Sequence, residues 1–199
     1  MRFITIVSAL VMTVAISFSA VAQNRWNVYA GGTLSHLCEK PWAGSYGWGG
    51  GALIGGGYEI NFNSHWSLTP QVEVSYVNNG ATLSGSDYSS KYANSLKTWS
   101  INIPVIAGFR FPLSESVGLR FGVGPYLQQA FWGRIHDSND KEISPSGNFS
   151  KRFNVGVIGE AAVETGSHFS YFFRTQYPFL KEGWIRKTIN LSLGVRYTF

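Results

Sequence analysis

Residues 188–199 read TINLSLGVRYTF. Every second residue from Ile189 to Phe199 is apolar, and the residues between them are small, polar or charged. Such period-two alternation is the pattern of a β-strand that has one apolar and one polar face. An apolar face that runs up to a terminal aromatic residue is typical of a sheet that turns this face toward lipid.

The same alternation recurs along the chain and predicts seven further strands. Their apolar faces carry no charged residue, whereas the opposite faces carry many of the chain's Glu, Arg, Asn and Gln side chains. We therefore predict an all-β fold, an eight-stranded antiparallel up-and-down transmembrane β-barrel. In chain order, the apolar faces begin at Trp26, Ala52, Trp66, Trp99, Val117, Phe153, Phe169 and Ile189.

Alternation alone does not say which face points inward, since a soluble barrel or sandwich would bury the apolar face. Three features favour the membrane. The predicted strands are about ten residues or longer, which suits a tilted crossing of a bilayer. Aromatic residues lie near both strand ends, as in interfacial girdles. Short connections, such as Asn63-Ser64, alternate with long ones, such as residues 79–97 and 133–151, as in outer-membrane barrels.

A targeting segment opens the chain. Arg2 supplies a positive start, residues 3–18 are mostly apolar, and Ala20-Val21-Ala22 has the small residues of a cleavage site. We predict a signal peptide over residues 1–22 and an outer-membrane β-barrel domain over residues 23–199. The alternative is that the segment stays attached as a membrane anchor.

The composition excludes several classes of protein. Beyond the leader, the chain has no apolar run long enough for a transmembrane helix. It has no Lys/Arg run, so nucleic acid is not an expected partner, and its formal charge of +5 suits contact with anionic lipid headgroups. The single cysteine, Cys38, leaves no intramolecular disulfide.

Four prolines fall inside predicted strands, namely Pro70, Pro104, Pro125 and Pro178. Proline has no backbone N–H to donate to a sheet, and a closed barrel has no edge strand to hold it. Each proline is therefore expected to mark a bulge or a local break in strand pairing.

The polar faces place charged side chains in a lumen that eight strands leave only wide enough to be filled by side chains. Unpaired charges are costly to bury, so we expect ion pairs, with Glu160 and Arg174 as the first predicted pair. We interpret the set as a structural charge network that plugs the lumen. The alternative is a narrow polar path, for which inward glycines such as Gly55 and Gly108 would leave room. The predicted members of the network are Glu59, Glu73, Arg110, Arg120, Glu160, Arg174 and Arg196.

No catalytic, cofactor-binding or metal-binding residue is predicted. His36, Cys38 and Glu39 lie close in sequence, but their spacing is too loose to indicate a metal site. The Gly-rich residues 55–57 fall within a predicted strand and precede no helix, so they do not predict a phosphate-binding loop.

One short element resembles an enzyme motif. His168-Phe169-Ser170 loosely resembles the His-x-Ser element of the lipid A deacylases, which are also eight-stranded barrels. The element lies at a predicted periplasmic turn, whereas such enzymes act in the outer leaflet. Tyr171 also stands where those enzymes have an Asn after the Ser. We therefore interpret His168 as a polar turn residue.

A wider resemblance rests on the central strands and on both ends of the domain. Its residues are Ile103-Pro104-Val105, Gly108-Phe109-Arg110-Phe111, Gly122-Val123-Gly124-Pro125-Tyr126, the Ala22-Gln23 junction and the terminal Tyr197-Thr198-Phe199. This set resembles the PorT-like and OmpA-like outer-membrane β-barrel proteins of Bacteroidetes. The resemblance implies insertion by the barrel assembly machinery, which reads a C-terminal aromatic strand, with Tyr197 and Phe199 as the assembly signal. It also implies that prolines are tolerated within strands.

The sequence thus predicts a non-enzymatic protein of the bacterial outer membrane, with a structural or surface-interaction role through its extracellular loops. Expected partners are outer-membrane lipid and lipopolysaccharide, the barrel assembly machinery during biogenesis, and a surface or secretion-complex partner. No cofactor is expected. The main alternative is a narrow solute channel or a component of an outer-membrane secretion complex, as the PorT-like resemblance implies. A lipid A-modifying barrel enzyme is the third candidate.

Overall fold

A computed structural model describes residues 24–37, 45–46, 48–84, 91–136, 142–143, 153–180 and 188–199. This part of the chain forms eight long strands and two strands of two residues each. No helix within it is long and apolar enough to cross a membrane. The strands are β1 (Arg25–Leu37), β2 (Ser45–Tyr46), β3 (Trp48–Asn61), β4 (Trp66–Ser84), β5 (Lys91–Pro112), β6 (Val117–His136), β7 (Glu142–Ile143), β8 (Phe153–Thr165), β9 (Phe169–Pro178) and β10 (Thr188–Thr198).

The eight long strands form one closed antiparallel barrel, which confirms the predicted fold class. Each long strand pairs with the next long strand along the chain. The barrel closes where β1 pairs with β10, from Asn27 opposite Thr198 to Leu37 opposite Thr188. The short strands β2 and β7 extend the sheet beside β4 and β6.

The two ends of the barrel differ in their connections. Because the long strands alternate in direction, the start of β1 and the end of β10 lie at the same end as the short turns β3–β4, β5–β6 and β8–β9. This end is termed the turn end, and the opposite end the loop end. In the β3–β4 turn, the Asn63 side-chain oxygen accepts the backbone N–H groups of His65 and Trp66, both at 2.8 Å. The β8–β9 turn contains Gly166 with a φ of 66°, a conformation that favours glycine.

The outer face of the barrel is apolar and the inner face is polar, as the alternation predicts. Along β9 every second residue is exposed and every other residue is buried, from Phe169 to Pro178. On β10 the outward Leu193 is 66% exposed, whereas the inward Ser192 is buried. Such a continuous exposed apolar belt suits lipid rather than water. Exposed aromatic residues occur at both ends: Trp26, Phe62, Trp66, Phe111, Phe169 and Phe199 at the turn end, and Trp99, Phe131, Phe153 and Phe179 at the loop end.

The prolines interrupt strand pairing without shifting its register. Pairing between β4 and β5 passes from Pro70 opposite Val105 to Glu73 opposite Asn102, and the two residue pairs between them are skipped. Between β5 and β6, two pairs are likewise skipped after Pro104, on the stretch that includes Pro125. Pro178 is the last residue of β9. The local breaks therefore occur as expected, whereas none of these prolines marks a bulge.

The register shift lies elsewhere, between Trp99 and Ser100 of β5. Trp99 pairs with Trp132 and Ser100 pairs with Ala130, so Phe131 is an extra residue on β6. Phe131 and Trp132 are consequently both outward, with 48% and 37% of their surface exposed. This bulge adds a second aromatic residue to the belt at the loop end, which strict alternation does not predict.

Large side chains occupy the space beside inward glycines of the lumen. A Cβ added at Gly55 would lie 2.6 Å from the hydroxyl of Tyr29. One added at Gly108 would lie 2.9 Å from Nε of Arg120. The glycines thus make room for large side chains from neighbouring strands. Two buried apolar clusters also fill the lumen, one of Tyr29, Leu53, Ala162 and Phe172, and one of Ile106, Tyr126 and Ile158.

Candidate functional site: the lumen charge network

The deeper part of the charge network is centred on Glu160 of β8. Arg174 donates to its carboxylate through Nη2 at 2.6 Å, and Arg196 donates through Nη2 to both oxygens at 2.7 Å. Strands β8, β9 and β10 are neighbours, and their register sets Glu160 directly opposite Arg174. The structure therefore brings together the first predicted pair, with Arg196 as a second cation on the same carboxylate.

Arg174 also reaches across the lumen to β4. Its Nη1 donates to Glu73 at 2.6 Å, and its Nη2 donates to the side-chain oxygen of Gln71 at 2.9 Å. Asn102 of β5 donates to the other oxygen of Glu73 at 2.9 Å. One guanidinium group thus joins opposite walls of the barrel, and both carboxylates that it contacts have a second partner.

Aromatic rings pack against the two deep arginines. The Arg174 guanidinium carbon lies 4.8 Å from the centroid of the Tyr29 ring and 5.0 Å from that of Phe172. Arg196 lies at 5.7 and 5.4 Å from the same two rings. Within about 6 Å a cation is attracted to an aromatic face. The rings therefore fill space around the network and stabilise its charge.

A second group of charged side chains lies near the turn end. Arg110 donates to Glu59 at 3.0 Å and makes a two-pronged contact with Glu164, at 2.6 and 2.9 Å. Arg120 lies 3.5 Å from the other oxygen of Glu59 and donates to the hydroxyl of Thr69 at 2.7 Å. All seven predicted members of the network are therefore inward and paired, in two groups.

The charges of the network balance. Three nearly inaccessible guanidinium groups face three nearly inaccessible carboxylates, and the partly exposed pair of Arg110 and Glu164 is neutral as well. Removing one member of such a set leaves an uncompensated buried charge, which costs about 3–5 kcal/mol. Every carboxylate is engaged by arginine, and no group of His, Cys, Asp and Glu within the described residues has a geometry that suits a metal ion. The charges of the described network therefore sum to zero.

The predicted network lacks four partners that the structure shows, namely Glu164, Thr69, Gln71 and Asn102. Glu164 is a strand residue, because β8 continues to Thr165. The signal was present, since counting inward by twos from Glu160 reaches Glu164. Thr69 and Gln71 carry no charge, and only the cross-lumen geometry shows them as acceptors for arginine.

The two residues of the predicted assembly signal lie at the turn end of the barrel. Tyr197 and Phe199 pack edge to face with ring centroids 5.1 Å apart, and the Phe199 N–H donates to the Trp26 carbonyl at 2.8 Å. Their role as an assembly signal stays a prediction. His36 packs against Trp48, with ring centroids 4.9 Å apart, whereas Cys38 and Glu39 lie outside the described residues.

A closed antiparallel barrel with an apolar outer belt and a polar interior is the architecture of outer-membrane β-barrel proteins. The chain matches the family described as outer membrane protein beta-barrel domain over residues 13–182. It belongs to this family. The protein is accordingly one of the bacterial outer membrane.

Two solved structures illustrate the shared fold. Neisserial surface protein A has a TM-score of 0.51 and 14% identity, and the match covers 90% of this chain and 99% of that one. OprG from Pseudomonas aeruginosa has a TM-score of 0.51 and 11% identity, with 89% and 97% covered. Identities this low show the fold alone. No curated protein sequence matches the chain significantly.

Proposed function

We propose that this outer-membrane barrel is non-enzymatic, has a closed lumen, and acts as a structural or surface-interaction protein through its extracellular segments. The observation that carries the proposal is the neutral charge network, in which Arg174 of β9 bridges to Glu73 of β4 across the lumen. The short turns, the start of β1 and the end of β10 all lie at the turn end, which supports a periplasmic position for that end. The loop end then faces the cell exterior.

The filled lumen argues against conduction. A hydrated ion on this path would have to separate Arg174 from Glu73 and Glu160, which it contacts at 2.6 Å each. Separating a buried pair costs several kcal/mol, which makes passage rare. The fully buried Ile106 and Ile158 add an apolar obstruction in the same lumen. A narrow solute channel is therefore the weaker candidate.

The His-x-Ser element serves the turn rather than a reaction. The Nδ1 atom of His168 lies 2.8 Å from the carbonyl oxygen of Thr198, so Nδ1 carries the proton and donates it. The His168 ring stacks on Tyr197 with centroids 5.4 Å apart. Tyr171 is 54% exposed on the outer face, where it has no access to the lumen side of Ser170. These contacts support a non-enzymatic role.

The segments that join the long strands at the loop end are the part of the chain best suited to recognition. They are shorter than the alternation predicts, because β4 continues to Ser84 and β5 begins at Lys91. The β4–β5 segment contains Tyr88 beside Ser residues, and the segment between β1 and β3 contains Trp42 and Tyr46. Aromatic side chains beside Ser and Gly form adaptable contact surfaces. We infer lipopolysaccharide or a surface partner as the ligand. The PorT-like resemblance supports a second candidate, a component of a secretion complex.

Electrical recording tests the closed lumen. The purified barrel is inserted into planar bilayers. A porin of known conductance is recorded in parallel as the control that shows that insertion is detected. We expect no discrete conductance steps from the wild-type protein. Reproducible steps that persist across preparations would overturn the plug and favour the solute channel.

Loop replacement tests the surface role. Residues 38–44 and 85–90, which contain Trp42 and Tyr88, are replaced together by Gly/Ser repeats, and the control replaces the turn residues 113–116 in the same way. Binding of cells and of lipopolysaccharide is then measured on the surface of a heterologous host. We expect loss of binding in the loop variant alone. Unchanged binding in both variants, with a fall in export of secreted proteins from the native host, would favour the secretion complex.

A further inference from the structure

We propose that the outer wall of the barrel holds, at the loop end, a binding site for the phosphorylated headgroup of a glycolipid, the lipid A part of lipopolysaccharide. This inference rests on the proposed function, because it needs the loop end to face the outer leaflet. The site consists of two rows of residues on the outer faces of β4, β5 and β6. It is termed the wall site, and its residues are Tyr76, Asn78, Lys97, Trp99, Trp132 and Arg134.

The row nearer the middle of the barrel is aromatic. Trp99 of β5 stands directly opposite Tyr76 of β4 on one side and Trp132 of β6 on the other. The ring centroids of Tyr76 and Trp99 are 5.1 Å apart. Trp99 is 40% exposed and Trp132 is 37% exposed. Aromatic residues on the lipid-facing side of a membrane protein lie at the level of the lipid headgroups.

The second row is polar and lies two residues further along the same strands. Lys97 stands directly opposite Asn78 of β4 and directly opposite Arg134 of β6. From the rise of a strand, this row lies about 7 Å beyond the aromatic row, on its aqueous side. Two cationic residues therefore occupy adjacent register positions at the height where lipid phosphates are expected.

The bulge at Phe131 brings part of the wall site to the outer face. Strict alternation beyond the outward Phe131 would place Trp132 and Arg134 on the lumen face. Because Phe131 is an extra residue, Trp132 instead pairs with Trp99 and is exposed, and Arg134 shares its face. Bulges commonly redirect side chains in this way. The wall site thus depends on this irregularity of β6.

Lys97 is available to an anion. Its side chain is partly exposed and has no hydrogen-bond or ion-pair partner among the described residues. The two positions directly opposite it hold Asn78 and Arg134, so neither supplies a carboxylate. Like charges directly opposite each other on a sheet are destabilising, and an anion bound beside both residues would offset this repulsion. Lysine and arginine are the usual partners of phosphate oxygens.

Asn78 favours a ligand that also carries hydroxyl groups. Its side-chain oxygen is buried and accepts no hydrogen bond from the described residues. Gly50 of β3 stands directly opposite Asn78, and a Cβ added to Gly50 would meet nothing within 4 Å, so the wall has open space beside the amide. A buried acceptor without a donor is unfavourable, and a sugar hydroxyl in this space would supply the donor. The two rows therefore fit a phosphorylated sugar whose acyl chains lie along the apolar belt.

Titration of the folded barrel with lipid A tests the site. Diphosphorylated lipid A is added to the protein in non-ionic detergent, and the protein with lipid bound is counted by native mass spectrometry. We expect saturable binding, and at least fivefold weaker binding of dephosphorylated lipid A. Lys97→Gln and Arg134→Gln should each weaken binding of the diphosphorylated form at least fivefold, whereas Lys97→Arg should retain it. Lys181→Gln removes the same charge from the segment between β9 and β10 and is the matched control.

The wall site is wrong if dephosphorylated lipid A binds as tightly as the diphosphorylated form, or if Lys181→Gln weakens binding as much as Lys97→Gln does. If Lys97→Gln does not fold, Arg134→Gln gives the same comparison from β6. Phosphatidylglycerol and inorganic phosphate are titrated in the same way. Weaker binding of both supports a glycolipid. Equally tight binding of either one, with the same sensitivity to Lys97→Gln, would assign the site to a glycerophospholipid or to a soluble ion and overturn the glycolipid.

The loop-replacement variant separates failure of this site from failure of the proposed function. The variant lacks residues 38–44 and 85–90 but keeps every residue of the wall site. Lipid A binding that persists in this variant, with cell binding lost, supports both proposals. Lipid A binding that is lost in this variant but kept in Lys97→Gln overturns the wall site alone. Cell binding that the loop variant keeps contradicts the surface role of the loops, whatever the lipid A titration gives.

Discussion

The substitution Glu160→Gln removes the carboxylate on which the deep part of the charge network depends. Glu160 accepts from Arg174 and Arg196, and every one of these contacts is 3.1 Å or shorter. In the variant, Arg174 keeps Glu73 as a partner, but Arg196 loses the one carboxylate it contacts within the described residues. The glutamine has nearly the same shape, so the change removes charge and leaves packing intact.

The expected loss of unfolding free energy follows from the burial of Arg196. An uncompensated charge in a site that is 1% exposed costs about 3–5 kcal/mol. The folded-to-unfolded ratio then falls by about two to three and a half powers of ten. Glu164→Gln should cost only about 1 kcal/mol, because its side chain is 21% exposed and Arg110 retains Glu59.

The assay is urea unfolding of the barrel in detergent micelles, followed by the mobility difference between folded and boiled protein on a gel. Glu115→Gln makes the same change in an exposed turn and is expected to stay within about 0.5 kcal/mol of wild type. Adding Arg196→Met to Glu160→Gln restores the charge balance and should recover at least half of the loss. The reasoning is refuted if Glu160→Gln lies within about 1 kcal/mol of wild type, or if the double variant is no more stable than the single one.

Three further predictions address the barrel itself. Unboiled wild-type protein from outer-membrane fractions should migrate differently from boiled protein, and the absence of any shift, with the protein in the soluble periplasm, would contradict a membrane barrel. Gly55→Ala places a Cβ against Tyr29 and 2.8 Å from the Val72 carbonyl oxygen, so it should lower the unfolding free energy by about 1–3 kcal/mol. In the same urea assay the control Gly32→Ala should be nearly neutral, because its Cβ meets nothing within 4 Å. Phe199→Ala should reduce the amount of folded barrel in the outer membrane, because the assembly signal is predicted at the C-terminal strand. Phe179→Ala, which changes an exposed ring at the loop end, should not reduce it. Equal losses of the two variants on immunoblots of membrane fractions would reject that signal.

Strand alternation predicts which residues share a face of each strand, and strand length, aromatic girdles and alternating connection lengths assign the polar face to the lumen. The alternation rule is local, since adjacent side chains on a strand must point to opposite faces. It therefore places Glu160, Arg174 and Arg196 on the polar faces of their strands without any knowledge of their partners. It also predicts the direct neighbours Glu160 and Arg174, because a short turn fixes the register between β8 and β9.

Contacts across the lumen lie beyond such a local rule. Arg174 and Glu73 are 101 residues apart in sequence and belong to strands that are not neighbours in the sheet. Whether they meet depends on the tilt and stagger of all eight strands, which set the relative heights of inward residues. The bulge at Phe131 shows the same limit, since one extra residue reverses the alternation beyond it.

Folded-state stability alone does not explain why the lumen is lined by charged residues. Well-packed apolar residues in place of a buried ion network are often equally stable. In this barrel, however, the outer face of each strand is already apolar, as on β9 and β10. Apolar residues inside would turn every strand into a continuous hydrophobic run, the kind of segment that aggregates in an unfolded chain. Residues such as Glu160 and Arg174 keep each strand amphipathic in water and then neutralise each other once the barrel closes.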